Sequence, residues 1–164
     1  MRSRLRTSSP TGADMRAAMP TDRQRPPLVV VDAANVVGSV PDGWWRDRVG
    51  ATERLRDALE TVATQGLPSN DARQELPPWF SRPPLEIVLV VEGVAREVSG
   101  TENVRVVAAA GSGDDAIVEL VRTEGADRPC VVVTADRQLR SRVTALGALV
   151  LGPRAVRPVP GGRT

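Results

Sequence analysis

A chain of 164 residues with a formal net charge of +2 is long enough for one domain with a proper core and hardly for two. It has no His, Lys or Tyr and a single Cys, which removes His-based nucleases, Schiff-base enzymes, Ser-His-Asp hydrolases and His-ligated zinc sites. Carboxylates, hydroxyls, arginines, backbone amides and a metal ion remain for chemistry, and the all-Arg basic set gives a pI of about 9.8.

Residues 1–27 are rich in Arg, Ser, Thr and Pro without periodicity and read as a disordered arm, with Met15 and Met19 as alternative starts to Met1. The arm has no apolar core of the kind a secretory signal needs. Leu28 to Asp32 is a run of apolar, mostly β-branched residues ending in an acid, the pattern of a strand buried on both faces of a parallel sheet. A turn-rich loop from Gly38 to Gly43 and the pair Trp44-Trp45 follow. From Ala51 to Gln65 the apolar positions Ala51, Leu55, Ala58, Leu59 and Val62 recur at helical spacing, and Gly66 closes the helix.

Residues 67–84 hold five prolines around Trp79 and Phe80 and read as a long connection, either a lid or an insertion. Glu86 to Val91 is a second strand, again ending at an acid, Glu92. Val104 to Ala108 is a third, leading through Gly111-Ser112-Gly113 into Asp114-Asp115 and a helix that buries Ile117, Val118, Leu120 and Val121. Cys130 to Val133 is a fourth strand, with Cys130 as a small core residue. Thr134-Ala135-Asp136 then opens a helix with Leu139, Val143 and Leu146 inward; Gly147 ends it, and Ala148 to Leu151 is a fifth strand. Strands alternating with helices at this spacing call for a three-layer α/β/α fold with a parallel sheet over residues 28–152, followed by a flexible tail at 153–164. No apolar run reaches the roughly 20 residues of a membrane span, so a soluble, cytoplasmic protein is expected.

Asp32, Glu92 and Asp136 stand at the carboxyl ends of strands, and Asp114 and Asp115 open the helix behind another. All five therefore lie along one sheet edge, where open α/β sheets bind ligands. Singly, each has a structural reading: Asp114 or Asp136 as a helix cap, Glu92 as a solvated loop acid, and Asn35 likewise as a turn residue. Jointly they form a pattern that packing does not require. Two carboxylates about 4 Å apart repel by roughly 4 kcal/mol at an effective dielectric near 20, a large share of a domain's stability of about 5–15 kcal/mol. Such groups spread apart, keep protons or gather a cation, and oxygen ligands without His or Cys select Mg²⁺ or Mn²⁺. That chemistry suits phosphodiester hydrolysis. Asp32, Glu92, Asp115 and Asp136 are the candidate metal ligands, with Asn35, Ser112 and Thr134 as supporting groups.

The runs Val29-Val30-Val31-Asp32-Ala33-Ala34-Asn35, Gly113-Asp114-Asp115-Ala116-Ile117 and Val133-Thr134-Ala135-Asp136-Arg137-Gln138-Leu139 resemble the motifs of PIN-like nucleases, the NYN branch in particular. The resemblance implies a five-stranded parallel sheet in the order 3-2-1-4-5 and a Mg²⁺- or Mn²⁺-dependent endoribonuclease. By it, Asp32 is the first-strand acid, Asp114 and Asp115 the middle pair and Asp136 the late acid, all four catalytic. Glu92 stands where that branch frequently has Asp, and Gln138 where many relatives carry a further acid, so a single ion is expected.

RNA is the expected partner, a membrane is not, and a homodimer is allowed. Arg46, Arg48, Arg96, Arg137 and Arg140 are candidates for backbone phosphates, and Trp44, Trp45 and Trp79 for stacking on unpaired bases. The rival reading is a catalytically silent RNA- or protein-binding module on the same scaffold. Gly111-Ser112-Gly113 lacks the remaining glycine of a dinucleotide fingerprint, and a phosphatase of the haloacid-dehalogenase kind lacks a second acid two residues after Asp32.

Overall fold

The computed structural model describes residues 25–67 and 77–156. Its five strands are β1 (Leu28–Asp32), β2 (Glu86–Val91), β3 (Val104–Ala108), β4 (Cys130–Val133) and β5 (Leu149–Leu151). They pair in parallel throughout, in the order β3-β2-β1-β4-β5, as expected. The chain works outward from β1 to β3 and then returns to the other side of β1, which leaves a crevice at the carboxyl ends of β1 and β4.

The helices are α1 (Ala33–Val37), α2 (Arg48–Gln65), α3 (Gly113–Glu124) and α4 (Arg137–Ala145). Side chains of β1 alternate between the two sheet faces. Val29 and Val31 pack with Val36 of α1 and with Leu55 and Leu59 of α2. Leu28 and Val30 pack with Ile117 and Val121 of α3 and with Leu139 and Val143 of α4. A strand buried on both faces needs apolar residues at both parities, which is why Leu28 to Val31 is an unbroken apolar run.

Several expectations change. The short helix α1 has no counterpart in the periodicity, because five residues are too few to display a 3.6-residue repeat. Helix α2 begins at Arg48 rather than Ala51, since the Asp47 side chain caps it by accepting from Gly50 N at 2.9 Å. Ala58 faces solvent, while Thr52 and Ala63 are buried in its stead. Gly66 ends α2 with φ at 89°, and Ser81 comes too close to admit a Cβ.

Leu146 is not inward: it caps α4 and is 40% exposed. The fifth strand starts at Leu149, one residue later than expected. Residues 153–156 are not a loose tail, because Pro153–Ala155 forms a 3-10 turn and Val156 is buried. The connection after α2 is anchored at its far end. Pro78–Phe80 is a 3-10 turn, Phe80 is fully buried, and its carbonyl accepts from Leu67 N at 2.8 Å. Residues 1–24, 68–76 and 157–164, which include most of the expected arm and tail and half of the expected insertion, lie outside the described residues.

At the amino end of the sheet every clustered acid has a cationic partner. Arg128, 3% exposed, donates to Glu86 Oε2 at 2.5 Å and to Pro26 O at 3.0 Å. Arg105 and Arg25 reach Glu124 at 2.7 and 3.3 Å. Burial pushes the Glu86 and Glu124 carboxyls up, but the arginines more than reverse it, and both lie below the ordinary range. Among the described residues no helix is long and apolar enough to cross a membrane.

Candidate active site

The carboxyl end of the sheet is built differently. Val31 pairs with Val133 in the β1–β4 register, so the next residues, Asp32 and Thr134, stand side by side. Asp32 is only 7% exposed. It caps α1, its Oδ1 accepting from Asn35 N at 3.3 Å, while Oδ2 accepts from the Thr134 hydroxyl at 3.0 Å. Thr134, fully buried, also accepts from Asp136 N at 3.1 Å, and Asp136 caps α4 by accepting from Leu139 N at 3.0 Å. The Asn35 side-chain oxygen accepts from Ala135 N at 2.8 Å. That contact fixes the orientation of the amide and turns its NH₂ away from the β4 loop.

Glu92 comes in from the neighbouring strand. Its Oε2 accepts from Gly113 N, the first residue of α3, at 2.6 Å. Gly113 leaves room for Glu92 in this position, because a Cβ would sit 2.8 Å from that carboxylate oxygen. Ser112 caps α3 by accepting from Asp115 N at 3.3 Å, which places Asp114 and Asp115 in the first turn.

Electrostatics show which acids meet. Burial pushes Asp32 up to about 6; the hydrogen bonds from Thr134 and Asn35 work against this, and the charges of Asp114 and Glu92 add to it. Asp114 is also raised, by burial and then by Asp136 and Glu92, with Arg142 opposing. Asp32, Glu92, Asp114 and Asp136 thus form one mutually repelling group. None of the four is in an ion pair among the described residues, in contrast to the acids at the other end of the sheet.

Asp115 stands apart from the group. Its side chain is 73% exposed, and its Oδ1 accepts from Arg142 at 3.0 Å. Of the two adjacent acids, Asp114 is the one that faces the cluster.

Among the described residues no three acidic side chains are gathered closely enough to enclose an ion directly. Mg²⁺ does not demand such a cage: it commonly keeps several waters and takes one or two carboxylates. The all-oxygen donor set, the carboxylates outside any ion pair among the described residues and the buried Asp32 fit an ion of that kind.

The candidate phosphate contacts fall on two sides of the crevice. Arg137 and Arg140, with Ser141 and Thr144, line an open depression of about 340 Å³ along α4. Arg46 and Arg48 lie on the other face of the sheet, at the Trp44–Arg46 turn and the start of α2, and Arg96 lies on the Gly93–Glu97 turn just after Glu92. None of these five arginines forms an ion pair among the described residues. Trp44 and Trp79 pack against the core, whereas Trp45 is 51% exposed. Gly113 was not among the expected site residues; its only trace in the sequence is a glycine directly before an acidic helix start.

No family model matches the chain, and no curated protein is detectably similar in sequence. Among solved structures the chain is similar to a mutant of Rae1 (YacP) from Bacillus subtilis, with a TM-score of 0.53 and 16% identity, over 79% of this chain and 72% of that one. At that identity the likeness is one of fold.

Proposed function

We propose that the protein is a metal-dependent endoribonuclease that hydrolyses RNA phosphodiester bonds at the crevice beyond β1 and β4. The observation that carries this reading is the contrast between the two ends of the sheet. Acids at the amino end are matched by arginines, while Asp32, Glu92, Asp114 and Asp136 have no ion-pair partner among the described residues. A folded domain tolerates that arrangement best where a cation supplies the missing charge. The motif resemblance to PIN-like nucleases and the shared sheet order support the same conclusion.

One or two of the carboxylates of Asp32, Glu92, Asp114 and Asp136 would hold Mg²⁺ or Mn²⁺ directly and the others through its waters, with Asp114 rather than Asp115 in that set. When bound, such an ion supplies Lewis acidity toward water and toward a phosphoryl oxygen. The Thr134 hydroxyl and the Asn35 backbone N–H orient the Asp32 carboxylate. The Asn35 NH₂ is available to donate to a phosphate. Arg137 and Arg140 on one side and Arg46, Arg48 and Arg96 on the other hold the RNA backbone, giving affinity without sequence preference. A reducing, cytoplasmic setting suits the lone, buried Cys130, whose thiol burial pushes up to about 11.

The test is cleavage of single-stranded RNA with Mn²⁺ or Mg²⁺. Wild type cleaves, and Asp32→Asn binds RNA but does not cleave it. Equal activity of the two proteins would overturn the assignment. A second reading, an RNA-binding module without catalysis, draws on the lack of a ready three-acid cage among the described residues. Ion-independent RNA binding with no cleavage of any substrate would favour it.

A further inference from the structure

The mechanism so far makes no use of Trp45, the most exposed of the three tryptophans. It lies in the Trp44–Arg46 turn, its ring meeting that of Trp44 edge-on at 85° with centroids 6.0 Å apart. Trp44 in turn is partly buried against the core cluster that includes Val36 and Val37 of α1. Asp32 caps α1, whose Val36 and Val37 belong to the core that Trp44 packs against, and Trp45 stands on Trp44.

The charges around the ring are sorted by direction. The Asp42 carboxylate accepts from Trp44 N at 3.2 Å, and that of Asp47 from Gly50 N at 2.9 Å, so both are turned onto the backbone. Arg46 is exposed, and the Arg48 guanidinium lies 5.5 Å from the centre of the Trp44 ring. An indole half in water, anchored on one side by a second indole and flanked by arginines outside any ion pair among the described residues, presents a π-face and a positive charge together.

We propose that Trp45 stacks on an unpaired base of the RNA strand, with Arg46 and Arg48 on its phosphates, and so makes the enzyme selective for single strands. The selectivity rests on the ribonuclease reading, but the stacking contact does not. A base inside a duplex has both faces covered by its neighbours and cannot use the ring.

The test is a tryptophan-fluorescence titration of the full chain with a single-stranded oligoribonucleotide and with a duplex of equal length, in EDTA to prevent cleavage. The single strand quenches the wild type. Trp45→Ala weakens single-strand binding by about 5- to 150-fold, the range that one stacked base confers. Trp45→Phe recovers most of that loss, and duplex binding is the same in all three proteins.

Unchanged single-strand affinity in Trp45→Ala, or an equal loss for the duplex, overturns the proposal. So does a self-association of the wild type, seen by sedimentation, that Trp45→Ala abolishes. Cleavage by wild type with unaltered binding in Trp45→Ala removes the stacking alone. Trp45-dependent binding without any cleavage removes the nuclease and leaves the stacking.

Discussion

The Thr134 hydroxyl donates to Asp32 at 3.0 Å and accepts from the Asp136 backbone at 3.1 Å. One buried oxygen thus sets the distance between an acid at the end of β1 and another at the start of α4, 104 positions apart in the sequence.

Removing that hydroxyl with Thr134→Val keeps the shape and strands both partners. The Asp32 carboxylate loses a hydrogen bond to its charged form, so its pKa rises further. The Asp136 amide loses its acceptor. Stability is expected to fall by about 1–3 kcal/mol in urea melts, and the acid limb of the cleavage pH profile to move to higher pH. Thr134→Ser restores both. An unmoved acid limb in Thr134→Val would mean that Asp32 is not the titrating group.

Stability should depend on pH through Asp32 with a definite sign. Its pKa is about 6 in the folded protein, against 3.8 as a free side chain. Between those values the folded form binds the extra proton, so stability declines as pH rises, by about 3 kcal/mol once pH passes 6. Glu86 and Glu124 are shifted downward and act in the opposite sense, losing stability as pH falls through their folded values. Asp32→Asn is expected to raise Tm at about pH 7.5 and to flatten the decline. Thermal melts across this range check it.

A divalent ion should reverse the same loss. At about pH 7.5 millimolar Mg²⁺ is expected to raise Tm of the wild type, with little effect near pH 4, where Asp32 is protonated. The rise should be smaller in Asp114→Asn than in Asp115→Asn, because Asp115 is committed to Arg142. Melting curves of the three proteins with and without Mg²⁺ decide this. A wild-type curve indifferent to Mg²⁺ would argue against an ion at this site.

Gly113→Ala separates folding from the site. Helix propensity favours alanine by roughly 0.5–1 kcal/mol, and the clash falls on the tip of the Glu92 side chain, which can swing away. Stability is expected to stay within about 1 kcal/mol of wild type, since one hydrogen bond is lost against that gain. Mn²⁺ affinity, read by the Tm shift, should drop as Glu92 leaves its position. An unchanged shift would place Glu92 outside the ion's surroundings.

Phe80→Ala tests the anchoring of the Pro-rich connection. A fully buried phenylalanine in the core beneath α2 is expected to cost about 3–5 kcal/mol on truncation, enough to unfold a marginal domain. Urea unfolding measures it, and a loss below about 1 kcal/mol would show that the cavity closes or that the contact is not kept.

All five strands were legible in the sequence: β1, β2 and β4 because a doubly buried parallel strand must be apolar at both parities, and the half-exposed edge strands β3 and β5 as shorter, valine- and leucine-rich runs between helix signals. The acids at the strand ends were legible for the same reason: a charge ending such a run marks the edge where solvent and ligands begin. Their common edge followed from parallel strands, and the strand order came from the motif resemblance.

Other features depended on the fold alone. Whether Asp114 or Asp115 faces the cluster turns on how α3 is rotated against β1 and on where Arg142 of α4 happens to reach. The same holds for Trp44 and Trp45, of which α1 and α2 cover only the first, and for Phe80, buried although it sits among prolines. Neighbouring residues of like chemistry carry nearly identical local signals. Only the packing of distant segments decides which of them is shielded from water and which is left to meet it.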